Sequence, residues 1–106
     1  MAKYLIQANY IGEGIKGLLK EGGSSRRAAV EKLAESLGGT IESYYYAFGD
    51  TDLFVIADMP DNATATAVSL TASAAGTATT KVTVLLTAEE VDAAVKKSPS
   101  YRPPGQ

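Results

Sequence analysis

The side chains best equipped for chemistry in this chain are phenols, and three of its six tyrosines stand together as Tyr44-Tyr45-Tyr46. There is no histidine and no cysteine among the 106 residues. The commonest general base at neutral pH, a thiolate nucleophile and the usual ligands of zinc and copper are therefore all missing. No metal and no cofactor is expected. The proton carriers that remain are Tyr44, Glu42, Asp52 and Lys81, and no pair of them has a spacing that identifies a reaction. Tyr44, Tyr45 and Tyr46, beside Gln7, Asn9 and Lys81, could wall a cleft for a small, flat, mostly apolar molecule. The plainer reading, which we favour, makes the tyrosines interface packing with satisfied hydroxyls.

Arg26 and Arg27 are expected in the first turn of a helix, where the backbone dipole disfavours cations. An anionic ligand would justify them, since guanidinium forks bind such groups well. Pairing with carboxylates such as Asp50 or Asp52 is the favoured explanation. Asp50 and Asp52 themselves read as turn residues rather than a metal pair. Gly12-Glu13-Gly14-Ile15-Lys16-Gly17 fits the GxGxxG pattern directly after a strand. A dinucleotide fold needs parallel strands with helices on both sheet faces, which this chain does not supply, so the glycines read as a turn into a helix.

The elements that must position these groups follow from periodicity. Lys3 to Tyr10 alternates polar and apolar residues and reads as a strand, with Tyr4, Ile6, Ala8 and Tyr10 on one side. Gly12 to Gly23 reads as a short, weak helix, and Ser24 or Ser25 is expected to cap a stronger one carrying Val30, Leu33, Ala34 and Leu37. Arg27 and Glu31 can pair along it. Gly38-Gly39 stops it. Thr40–Phe48 and Leu53–Asp58 read as strands of a hairpin turned at Gly49-Asp50-Thr51-Asp52, and Met59-Pro60-Asp61 ends the second. Asn62 is expected to cap a helix through Ala75, with Val68, Ala72 and Ala75 on one side. Thr79–Thr87 reads as a fourth strand. Thr87-Ala88-Glu89-Glu90 has the spacing of a capping box, opening a last helix with Val91, Ala94 and Val95 apolar.

This order predicts an α+β fold of ferredoxin-like βαββαβ type: a four-stranded antiparallel sheet, a split first helix and an extra C-terminal helix. One domain spans residues 1–97, and residues 98–106, with three prolines, form an extended tail. Placing Tyr4, Ile6 and Ala8 toward the helices turns Leu5, Gln7 and Asn9 outward. If Ile41, Tyr45 and Ala47 also face the helices, then Glu42, Tyr44, Tyr46 and Phe48 share the outer face. Aromatics there call for cover by a second copy, so a homo-oligomer, dimer or higher, is expected. Tyr101 and Arg102 could strap onto that neighbour. A net charge of −2 gives no field for nucleic acid, and no run is long enough for a membrane span. A cytoplasmic location is expected.

The run from Lys3-Tyr4-Leu5 through Gly17–Gly22, Ser25-Arg26-Arg27, Phe48-Gly49-Asp50 and Met59–Asn62 to Val84–Asp92 resembles the GYD-domain proteins of bacteria. The resemblance covers nearly the whole chain and implies a fold like the dimeric α+β barrels, in which two sheets face each other. Activity in that family is not settled. Its Gly-x-Tyr-Asp element would fall on Gly49, Thr51 and Asp52, without the tyrosine. The expected role is a ligand-binding or assembly module without catalysis. The alternative is a cofactor-independent enzyme, isomerase- or monooxygenase-like, acting on a small aromatic or anionic molecule.

Overall fold

The alternating row Tyr4, Ile6, Ala8 puts one apolar face on β1 (Ala2–Tyr10), and the rest of the fold is laid against that face. The computed structural model describes residues 1–106. Helices α1 (Glu13–Glu21) and α2 (Gly23–Ser36) follow, then β2 (Thr40–Tyr46), β3 (Leu53–Met59), α3 (Asn62–Ala74), β4 (Ala78–Leu85) and α4 (Ala88–Val95). The strands form one antiparallel sheet in the order β2-β3-β1-β4. The expected α+β class, four-stranded antiparallel sheet, divided first helix and additional last helix are all present.

Tyr4, Ile6 and Ala8 of β1 meet Leu53, Val55, Ala57 and Met59 of β3 in the core, closed from above by Ala34 of α2 and by Ala65 and Val68 of α3. Tyr4 is 1% exposed, and its hydroxyl donates to Asn62 Oδ1 at 2.6 Å, so the buried phenol keeps a partner. Only 12 of the 106 residues are buried. The core is thus a single thin layer between sheet and helices, and much apolar surface stays outside it.

The helix starts differ from the expectation by a turn or less. Gly22 occupies the N-cap of α2 without a side-chain cap, so Ser24 and Ser25 lie inside the first turn instead of capping it. Arg26 and Arg27 consequently sit about one turn into the helix, where the dipole argument against cations fades. Asp61, not Asn62, caps α3, its carboxylate accepting from Thr64 N at 2.8 Å. On α3, Val68 is buried and Ala72 half-buried, whereas Ala75 is exposed. The capping box of α4 forms as its spacing predicts, with Thr87 Oγ1 and the Glu90 carboxylate each accepting the other's backbone N–H at 3.1 Å.

The largest correction concerns β2. Ile41 pairs with Ala57, but Ser43 rather than Glu42 pairs with Ile56, so Glu42 is the extra residue of a β-bulge. One extra residue reverses which face every later side chain occupies. Tyr44 lies opposite Val55 and Tyr46 opposite Leu53, both core residues, so these two rings point toward the helices. Tyr45 lies opposite Phe54 and points outward, 69% exposed. The tyrosine layer expected on the outer face is therefore absent, and its argument for a covering partner falls with it. Leu5, Ile56, Phe54 and Tyr45 occupy that face instead, with no helix over them.

Candidate functional site

The inward turn of β2 creates a tyrosine cluster where α1 and α2 meet the sheet. Tyr44 and Tyr46 pack edge-to-face with ring centroids 5.4 Å apart, a favoured aromatic geometry. Their hydroxyls lie 3.4 Å apart, and Tyr46 donates to the carbonyl of Gly23 at 2.9 Å. That approach depends on glycine: a Cβ at position 23 would lie 2.9 Å from Cε2 of the Tyr46 ring. Tyr10, the last residue of β1, joins the cluster from across β3. Burial pushes the Tyr10 phenol above its ordinary value, with the nearby Tyr46 as second cause. Burial first, then the hydrogen bond with Tyr46, pushes Tyr44 higher still. Both phenols therefore stay protonated at neutral pH, able to donate hydrogen bonds and unsuited to act as bases.

Beside this cluster a cleft of about 430 Å³ opens between α1 and the β2–β3 loop. Tyr10, Ile15, Leu18, Leu19, Tyr46 and Phe48 supply its apolar walls, and Asp52 is its one charged residue. Leu19 is 81% exposed and Phe48 fully exposed, which is unusual for residues with this much to gain from burial. Asp52 is held at the floor. Its Oδ2 accepts from Tyr10 N at 3.0 Å, while its own N–H is within reach of Asn9 Oδ1 at 2.9 Å and Ala8 O at 3.1 Å. On the other side of Tyr10 and Leu18 lies a second cleft, about 340 Å³, walled by Glu13, Glu21, Arg26 and Thr77 among others.

Helix α1 divides the two clefts, and Gly14 fixes its height over the sheet. A Cβ on Gly14 would stand 1.9 Å from the carbonyl oxygen of Thr77, so only glycine lets the helix approach the α3–β4 connection this closely. Ile11 N donates to the same carbonyl at 3.0 Å. The middle glycine of GxGxxG thus serves backbone packing.

The structure divides the residues expected to form one site. Arg26, Arg27, Tyr44 and Tyr46 lie on the helix side of the sheet. Gln7, Asn9 and Lys81 lie on the outer face, lining a separate polar hollow of about 230 Å³ with Thr51, Thr79 and Thr80. The sheet itself stands between the two sets, because the bulge at Glu42 reversed the tyrosines. Arg26 pairs with Glu21 at 3.4 Å, and Arg27 pairs with Glu31 at 3.6 Å as its spacing predicts; neither guanidinium is paired with Asp50 or Asp52. Sequence reasoning passed over Tyr10, Leu18, Leu19 and Phe48 as site residues. Tyr10's place in the row Tyr4, Ile6, Ala8 was the available signal, since that row alone faces the helices.

No helix is long and apolar enough to cross a membrane. Neither any curated protein nor any solved structure matches the chain. The model of the GYD domain, a family of uncharacterised function, matches residues 4–95, which take in all of the sheet but the first two residues of β1, the tyrosine cluster and both clefts; the chain belongs to the GYD-domain family.

Proposed function

We propose that this chain is a cytoplasmic, homo-oligomeric binding module without catalysis, holding a small, flat, mostly apolar molecule in the cleft between α1 and the β2–β3 loop. The observation that carries the reading is that cleft: about 430 Å³, walled by aromatic and aliphatic side chains, with the phenols Tyr10 and Tyr46 among them. A flat ring would stack against Tyr46 and Phe48 and cover Leu19. Thermal-shift measurements against a panel of aromatic acids and neutral planar compounds test it. A ligand at a hundred times its dissociation constant should add about 2.7 kcal/mol of stability. Leu19→Ala and Phe48→Ala should leave the unliganded melting temperature nearly unchanged, because both side chains are exposed, and should weaken the ligand-induced shift. Equal shifts in wild type and both variants would place the ligand elsewhere, and silence of the wild type across the panel would refute binding here.

Self-association has its own support. Leu5, Ile56, Phe54 and Tyr45 make an apolar strip across a sheet face that no element covers, flanked at one end by Lys3 with its carboxylate partners Glu42 and Asp58. The strand order β2-β3-β1-β4, with α2 and α3 both packed over the opposite face, supports a ferredoxin-like arrangement and hence two sheets facing each other as in dimeric α+β barrels. A strict monomer by light scattering at micromolar concentration would contradict it.

The catalytic alternative, a cofactor-independent reaction on a small aromatic or anionic molecule, draws support from the phenol cluster. Phenols that hold their protons at neutral pH favour binding over proton abstraction, and Arg26 is engaged with Glu21. Binding without turnover is the reading we prefer.

A further inference from the structure

Every residue from Leu86 to Gln106 is exposed. These 21 residues include α4, a helix that the sequence specifies with care: a capping box at Thr87, two glutamates in its first turn and no helix breaker inside it. Yet α4 buries none of its residues, and every hydrogen bond made within Leu86–Gln106 is local to that segment. A free helix of eight residues is marginal in water even with good caps. It also carries an apolar stripe. At 3.6 residues per turn Ala88, Val91 and Val95 fall within one narrow arc, flanked by Asp92 and Ala94, while Glu89, Glu90 and Ala93 fall opposite. Val91 and Val95 are exposed, Val95 at 73%.

The shape of the molecule shows where the segment goes. A compact chain of this length should have a radius of gyration of about 13 Å; the observed value is 17.0 Å, with a longest extent of 57 Å. The segment leaves β4, an edge strand, and buries no residue against its own core. We infer that Leu86–Gln106 is an exchange arm: α4 lays its Ala88/Val91/Val95 stripe on a second copy of this chain, which returns its own arm in the same way. A second copy is the fitting occupant on two grounds. A partner sheet packed on the Leu5, Phe54, Ile56 and Tyr45 strip would stand next to the β4 edge from which the arm leaves, and 21 residues match the 20–30 per side that a stable interface of standard size requires. Reciprocal arms also close under two-fold symmetry and leave no free end to propagate. The inference rests on the self-association proposed above.

The test uses the full chain with Val91→Asp, Val95→Asp and, as a control on the opposite side of α4, Ala93→Asp. Sedimentation gives the dimer dissociation constant, and hydrogen exchange gives the protection of α4 amides. The expected result is a dimer with protected α4 amides. Each valine variant should raise the dissociation constant at least about 30-fold, as for a buried interface anchor, while Ala93→Asp changes it little. A dimer whose constant is unmoved by all three variants, with α4 exchanging freely, would overturn the arm and leave sheet-face assembly standing. A monomeric wild type with protected α4 would mean the arm folds onto its own domain. A monomer with unprotected α4 would overturn assembly and arm together.

Discussion

Two glycines three residues apart in α1 should respond to the same substitution with opposite signs. Gly14→Ala places a methyl 1.9 Å from the Thr77 carbonyl oxygen and 2.8 Å from its carbon, and neither backbone atom can rotate away. The helix must lift or the α3–β4 connection must move, at the cost of overpacking, about 1–3 kcal/mol. Gly17 has nothing within 4 Å of the same methyl, and it lies mid-helix. There alanine should gain roughly 0.5–1 kcal/mol, because glycine loses more backbone freedom on folding. For a chain of this size about 4 °C corresponds to 1 kcal/mol. The two melting temperatures should therefore fall on either side of wild type, Gly14→Ala below by roughly 4–12 °C and Gly17→Ala above by roughly 2–4 °C. Urea denaturation at fixed protein concentration provides the free energies, with the concentration held constant because association shifts apparent stability. If Gly14→Ala is as stable as wild type, the close approach is not what the glycine is for, and the packing account of the GxGxxG run fails. Lifting α1 should also widen both clefts, so this variant should lose the ligand-induced shift by more than its stability change explains.

Alkaline pH offers a second measurement. Tyr10 and Tyr44 have raised values in the folded state, so above their ordinary value of 10.0 the unfolded chain releases protons that the folded chain retains. Their contribution is complete below pH 10 and is lost as pH rises past it; Tyr44→Phe should flatten that decline by up to one proton, a ceiling of about 1.4 kcal/mol per pH unit reduced by partial exposure. An unchanged alkaline slope by urea midpoint would refute the burial of Tyr44. Asp52→Ala removes the acceptor of Tyr10 N and should cost about 1.5–3 kcal/mol, whereas Asp52→Asn, which keeps an oxygen there, should cost clearly less; equal losses would show that charge rather than the hydrogen bond matters.

The sequence carried the element order because each signal was local: alternation in β1 and β4, the Gly38-Gly39 stop, the capping box at Thr87 and the Arg27–Glu31 spacing all concern neighbours within one element. The site was harder to read because it depends on phase between elements. Period-2 reasoning assumes an unbroken strand, and a single unpaired residue, Glu42, exchanges the two faces for everything beyond it. Nothing in Thr40-Ile41-Glu42-Ser43 marks that position by composition. The pairing of Glu42 with Lys3 on β1, 3.1 Å across the outer face, is a tertiary contact that appears only once the strands are ordered. That bulge therefore decides where the chemistry lies. Without it Tyr44 and Tyr46 would join Gln7, Asn9 and Lys81 on the outer face, and the space between α1 and the sheet would lose two of its three phenols. Deleting Glu42 should accordingly turn the phenols out into water and remove both the alkaline signature of Tyr44 and any ligand binding beneath α1, while the helices, whose signals lie elsewhere, persist by circular dichroism. Retention of the Tyr44 signature in that deletion would mean the rings are drawn inward by the core itself and not by the bulge.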